Sequence, residues 1–212
     1  QVKIAPRLEE IILIIGLTGG IASGKSTIAK KMSERGAFVL DADKLGHRVY
    51  EPGRKAFDQV IEVFGGDIVA ETGEIDRKIL GGKVFGNPDE LKKLTDIVWP
   101  AISAMASEEI NENRANHPDQ LIVVEAAVLI EANWQGLSDE IWVTIVDPAI
   151  AIDRASRRDN IEPSAVQARI DAQVSNKERA SHADVLIDNS GSEQDLSEAF
   201  DLEWEKLQGR LS

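Results

Sequence analysis

Residues 19–26 read Gly-Gly-Ile-Ala-Ser-Gly-Lys-Ser, which places Gly19, Gly24, Lys25 and Ser26 in the spacing of a loop that grips phosphate groups. The residue types fit that task. Glycines allow the backbone N–H groups from Gly20 to Thr27 to turn toward phosphate oxygens, and a helix starting behind them adds the positive end of its dipole. Lys25 has the length to reach β- and γ-phosphates, and the Ser26 hydroxyl is a hard oxygen donor suited to Mg2+. The apolar run from Ile11 to Leu17 before the loop and the helix-compatible stretch from Thr27 to Arg35 after it supply the strand–loop–helix context that the motif requires. A glycine-rich turn with a fortuitous Lys-Ser would not need all three to agree.

A phosphate loop alone does not separate a kinase from a switch GTPase or a motor ATPase. Val39-Leu-Asp41-Ala-Asp43 adds two carboxylates in alternate positions at a strand end, so both can point to one side. Asp43 is expected to orient an acceptor hydroxyl and take its proton, with Asp41 capping the following helix. Asp43-Lys-Leu-Gly46 also fits the Asp-x-x-Gly of a GTPase switch, but the guanine-reading Asn-Lys-x-Asp is missing, since Asn176-Lys177 runs into Glu178-Arg179. Catalysis is therefore preferred to a nucleotide-gated binding module. Glu125 ends an apolar run, where an acidic residue contacts Mg2+ through water or, in the other reading, sits at a helix N-terminus. Arg154, Arg157, Arg158, Arg169 and Arg179 lie in one polar segment, either a solvated face or a lid that closes on phosphates. Trp142 and Trp204 read as core, whereas Trp99 and Trp134 fit packing and stacking equally; His47, His117 and His182 lack metal-ligand spacing.

The elements that must position these groups recur as short apolar runs at Ile11–Leu17, Ala37–Leu40, Leu121–Val124, Ile141–Val146 and Val185–Ile187. Buried runs joined by helical patterns predict an α/β fold with a five-stranded parallel sheet sandwiched by helices. Ligands bind such sheets beyond the carboxyl ends of the strands, where the residues above fall. About 80 residues separate the second and third runs, too many for one crossover, so a helical insertion is expected there. The spacing of Leu91, Leu94, Ile97 and Val98 predicts one helix, with Ile102–Ile110 continuing after Pro100. The expected organisation is an N-terminal tail over 1–10 and one domain over 11–212. Its core is 11–50, 119–148 and 183–212, its helical region about 51–118 and its lid about 149–182.

With 212 residues, 42% of them hydrophobic, the chain can bury one sizeable core. A net charge of -13 repels polyanions and argues against nucleic acid as partner. No apolar stretch reaches the roughly 20 residues of a membrane span, and the cysteine-free composition excludes disulfides and thiolate metal sites, in keeping with a reducing, cytoplasmic setting.

The phosphate loop, Asp41-Ala-Asp43, Ile75-Asp-Arg77-x-x-Leu80, Arg157-Arg-Asp159, Gln173 with Arg179, and Ile187-Asp-Asn189 together resemble the dephospho-coenzyme A kinase family, from about Ile11 to Leu207. Leu45–Tyr50, Asp96–Pro100 and Glu125–Trp134 are closer to the kinase domain of the eukaryotic bifunctional coenzyme A synthase, so a place in a larger bifunctional chain is also envisaged. Trp99-Pro100 stands where bacterial members usually have His-Pro, so no role of that histidine transfers.

The resemblance implies a P-loop core, a helical region gripping the acceptor and a lid. It implies ATP, with Mg2+, as donor to the ribose 3′-hydroxyl of dephospho-coenzyme A. Gly19, Gly20, Ile21, Ala22, Ser23, Gly24, Lys25, Ser26 and Thr27 would hold ATP, with Asn189 near adenine. Ser26 would ligate the metal and Glu125 would reach it through water. Asp43 would act on the hydroxyl, Arg154, Arg158 and Arg179 on the transferred phosphoryl group, Thr18 near the reacting phosphate and Arg77 on the acceptor's phosphates. A P-loop kinase for a nucleoside, nucleotide or sugar acid is the alternative within the same chemistry.

Overall fold

A strand covered on both faces is apolar throughout rather than alternating, and β1 (Ile14–Gly19) is buried at all 6 of its residues. The computed structural model of the chain describes residues 13–211. The expected tail and Ile11 and Ile12 lie outside that range. After β1 the chain forms α1 (Lys25–Glu34), β2 (Phe38–Asp41), α2 (Ala42–Arg48), α3 (Lys55–Phe64), α4 (Arg77–Val84) and α5 (Pro88–Asn116). It continues with β3 (Ile122–Glu125), β4 (Glu140–Ile145), α6 (Pro148–Asp159), α7 (Pro163–Asp171), α8 (Asn176–Ala180), β5 (Val185–Asp188) and α9 (Glu193–Leu211).

The five strands form one parallel sheet in the order β2-β3-β1-β4-β5. Strand β1 is central, with Leu17 level with Glu125 of β3 on one side and with Trp142 of β4 on the other. Its carboxyl end therefore opens between the ends of two neighbours, the place where parallel sheets receive ligands. Ile15, Leu17, Ile28, Met32, Val123, Trp142, Ile187, Phe200 and Leu207 pack into one core cluster, so α1 and α9 are fastened to the sheet by apolar faces. Trp142 is fully buried and meets Phe200 edge-on at 6.4 Å between ring centroids, which bears out core packing for that residue.

The described chain divides into two units, 13–40 with 112–211, and 41–111. The sheet, apart from the last residue of β2, lies in the first. The expected helical region of 51–118 overlaps the second, but α2 belongs there as well. Residues 149–182 fold as α6, α7 and α8 within the sheet-bearing unit. Of two details, the continuation past Pro100 agrees with the sequence reading and the strand ends differ from it. Helix α5 runs unbroken through Pro100, because Val98, Ile102, Met105, Ala106 and Ile110 are buried along one face and outweigh the roughly 3 kcal/mol that an internal proline costs. The strands β1, β2, β3 and β5 extend into polar residues such as Thr18, Asp41, Glu125 and Asp188, since ladder pairing does not stop where apolarity does.

Candidate active site

The residues between β1 and α1 form a strained turn. Ala22 has φ 55° and Gly24 φ 89°, both left-handed, and for a residue with a Cβ this costs on the order of 1–2 kcal/mol. Gly24 is required twice over, since a Cβ there would also strike Asn189 Nδ2. Three side chains hold the turn. Ser23 Oγ shares a buried hydrogen bond of 2.7 Å with Thr144 Oγ1, Asn189 Nδ2 donates to the Ser23 carbonyl at 3.0 Å, and Ile21 N–H donates to Gln173 Oε1 at 3.2 Å. A Cβ at Gly19 would collide with both hydroxyls of the first pair.

Lys25 and Ser26 occupy the first turn of α1, and both reach across to β3. Lys25 Nζ lies 2.7 Å from Glu125 Oε1, and Ser26 Oγ donates to the same oxygen at 2.8 Å. Glu125 is buried, so its charge is tolerated because a cation and a hydroxyl meet it. No helix begins at Glu125, because the residues after it are turns; the helix N-terminus reading of this carboxylate is thereby corrected. The Ser26 hydroxyl and the Glu125 carboxylate are a pair of hard oxygen donors beside the glycine-rich loop, a set that fits Mg2+. Among the described residues no cluster of three or more His, Cys, Asp or Glu forms a separate metal site.

The loop opens onto a cavity of about 750 Å³ lined by residues 19–27 and, among others, Lys31, Arg154, Arg158, Gln173 and Asn189. Four cations, Lys25, Lys31, Arg154 and Arg158, thus converge in a chain of net charge -13. Their present partners differ. Arg154 donates to the carbonyls of Asn189 and Gly191 at 2.7 and 2.8 Å, pinning the β5–α9 loop. Arg158 forms a two-point pair with Asp159, at 2.7 and 2.8 Å, which raises the guanidinium pKa and holds the Asp159 carboxyl below its usual range.

Arg179 is 1% exposed, unlike the lid arginine expected from its polar surroundings. Burial lowers its pKa, against the opposing charge of Glu131, whose Oε1 accepts from Nη2 at 3.3 Å. It lines a smaller cavity of about 360 Å³ with Gly20, Ile21 and Gln173 rather than the large one. Thr18 is buried as well; its hydroxyl donates to the Ala127 carbonyl at 3.5 Å and does not line the large cavity. Asn189 donates one side-chain N–H to the loop and also lines the large cavity. Trp134 is buried, which corrects its reading as an equal candidate for stacking.

In the helical unit, Asp41 caps α2 by accepting from Lys44 N–H at 3.1 Å, as its position predicts, and Asp43 stands in the first turn of that helix. Asp76 caps α4 through Lys78 and Ile79 N–H, and Arg77 lies over the Tyr50 ring at 5.6 Å. Thr144, Glu131 and Lys31 were not singled out from sequence. Thr144 had a readable signal, a hydroxyl near the carboxyl end of an otherwise apolar strand.

A parallel sheet in this order, with a glycine-rich loop and a lysine–serine pair after its central strand, defines a P-loop kinase fold. The Acinetobacter baumannii shikimate kinase shares that fold alone, with a TM-score of 0.53 at 13% identity over 96% of this chain and 97% of that one. The profile described as Dephospho-CoA kinase matches residues 13–195, and the chain belongs to that family. A dephospho-CoA kinase of Leifsonia xyli subsp. xyli is 37% identical over 196 residues, covering 92% of this chain and 99% of the relative. One of Carboxydothermus hydrogenoformans is 41% identical over 182 residues, covering 86% and 88%. Among solved structures, the Campylobacter jejuni dephospho-CoA kinase superposes with a TM-score of 0.70 at 25% identity, over 93% of this chain and 98% of that one. TT1252 of Thermus thermophilus gives 0.75 at 29%, over 92% and 97%. These relatives are matched along most of their own length. Among the described residues no helix is long and apolar enough to cross a membrane.

Proposed function

We propose that the protein transfers the γ-phosphoryl group of ATP to the ribose 3′-hydroxyl of dephospho-coenzyme A, giving coenzyme A and ADP, the last step of coenzyme A synthesis. The observation that carries this reading is the phosphate-loop cavity, with Lys25, Ser26 and Glu125 joined through one carboxylate oxygen, in a chain of this family. Its ATP dependence also fits a cytoplasmic location.

The γ-phosphorus leaves the β–γ bridging oxygen and bonds to the 3′-oxygen, while the hydroxyl proton passes to the Asp43 carboxylate. Asp43 stands two residues beyond β2, on the carboxyl side of a sheet strand, where α/β sheets place ligand contacts. The loose transition state makes orientation and charge neutralisation the main contributions. The loop amides other than Ile21 N–H, which Gln173 holds, and Lys25 hold the donor's phosphates, with Lys25 exchanging Glu125 for phosphate oxygens. Arg158 exchanges Asp159 for the transferred group, an inexpensive exchange because a solvent-exposed pair contributes little. Arg154 and Asn189 shape the cavity wall. Arg179 supplies fixed positive charge behind Gly20, and Thr18 stiffens the end of β1. Arg77 meets the acceptor's phosphates. Ser26 and, through water, Glu125 would hold Mg2+, which when bound with ATP neutralises phosphate charge.

The test is ADP release with ATP and Mg2+ across dephospho-coenzyme A, nucleosides, nucleotides and sugar acids. Selective turnover of dephospho-coenzyme A is expected. Selective turnover of a different acceptor would replace the substrate assignment and keep the kinase core.

A further inference from the structure

Each of the three anchors of the phosphate loop comes from a different part of the chain. Thr144 belongs to β4 and Asn189 follows β5, so both are set by the sheet. Gln173 is different, because it lies in the short turn between α7 and α8 and reaches Ile21 N–H from 152 positions away in sequence. That turn has its own supports. Asn176 Nδ2 donates to the Val146 carbonyl at 2.8 Å, Val174 N–H to Glu131 Oε1 at 3.4 Å, and Arg179 meets the same Glu131 oxygen. The Gln173 backbone is thus gripped by neighbours tied to β4 and to the β3–β4 connection, while its side chain grips the loop.

The chemistry of the contact sets the orientation of the carboxamide. Ile21 N–H is a donor, so the Gln173 oxygen must face it and the NH2 group is left as a donor for something else. Gln173 lines both the 750 Å³ cavity and the 360 Å³ cavity. Ile21 directly precedes Ala22, the non-glycine residue held at φ 55°. A strained turn of this kind persists only where its surroundings over-determine it.

Resting on the reading of ATP as donor, we infer that Gln173 is a positioning residue for the phosphoryl donor. Its carbonyl fixes the Ile21 amide and the Ala22 turn in the phosphate-binding arrangement, and its NH2 group faces the phosphates rather than the base or ribose. The α7–α8 turn is thereby coupled to phosphate occupancy of the loop.

The experiment is calorimetric titration of wild type, Gln173→Met and Gln173→Glu with ATP and with adenosine, accompanied by thermal unfolding and steady-state kinetics. Methionine keeps length and removes the acceptor. Glutamate keeps an acceptor for Ile21 and replaces the donor end by negative charge. Gln173→Met should weaken ATP about three- to tenfold, the scale of one neutral hydrogen bond, leave adenosine unchanged, lower the unfolding midpoint by no more than the loss of one partly buried hydrogen bond, and raise KM for ATP without raising KM for the acceptor. Gln173→Glu should not restore ATP affinity. ATP affinity within twofold of wild type in the methionine variant would overturn the inference, as would equal weakening of ATP and adenosine or full rescue by glutamate. If wild type binds ATP but fails to phosphorylate dephospho-coenzyme A, the proposed function falls and the Gln173 titrations still decide this inference. If wild type binds no ATP, both fall.

Discussion

Asn189 donates its side-chain N–H to the backbone carbonyl of Ser23 across 3.0 Å, joining the end of the last strand to the phosphate loop 166 residues earlier in the chain. The resemblance places Asn189 against adenine, and Asn189 also lines the phosphate-loop cavity, so one side chain meets both the loop and the cavity. Both residues are buried, so removing the donor strands a carbonyl, at about 1–3 kcal/mol. Asn189→Ala should therefore lower the unfolding midpoint and weaken ATP and ADP together. Thermal unfolding with and without nucleotide checks this. An unchanged midpoint would return Asn189 to a purely nucleotide-facing role.

Glu125 holds Lys25 and Ser26 through a single oxygen. Glu125→Gln keeps the shape and removes the charge. It should raise the Mg2+ concentration needed for half-maximal rate while leaving the folded state intact by circular dichroism. A Mg2+ titration of initial rate reads it directly, and an unchanged titration would remove Glu125 from the metal's surroundings.

Lys25→Ala strips the donor's phosphates of their cation within the loop. Both ATP affinity and turnover should fall, with normal values in both disproving the phosphate-loop assignment. Asp43→Asn acts on the acceptor instead. It should leave ATP affinity near wild type and reduce turnover by roughly 10² or more.

Arg158 and Arg154 both line the cavity but are predicted to behave differently. Arg158→Ala loses a surface pair with Asp159 that is worth little to folding, so stability should hold while turnover drops by about 10³, the lower range for an arginine acting on a transferred phosphoryl group. Arg154→Ala releases two backbone carbonyls of the β5–α9 loop and should affect stability and ATP binding more than the catalytic step. Comparing kcat, KM and unfolding midpoint for the two variants separates them.

Much of the fold was legible because burial and phosphate chemistry leave local marks. The apolar runs lie where β1 to β5 pair, and Gly19 to Ser26 announce both a loop and the helix behind it. Asp41 was readable as a cap because a carboxylate just before a helix has one common use. What stayed hidden depends on partners distant in sequence. Arg179 looks like a surface residue in a polar segment, and Glu131, 48 positions earlier, accepts its hydrogen bond and helps make its burial tolerable. Gln173 carries no local signal of its contact with Ile21.

The reaction is transfer of one phosphoryl group to one hydroxyl. Incubating the protein with ATP labelled in its γ-phosphoryl group, Mg2+ and dephospho-coenzyme A, and locating the label in the product by mass fragmentation and phosphorus–proton NMR, tests it most directly. The label should appear on the ribose 3′-oxygen in amounts equal to the ADP formed. Label on any other oxygen, or recovered only as inorganic phosphate, would contradict the account.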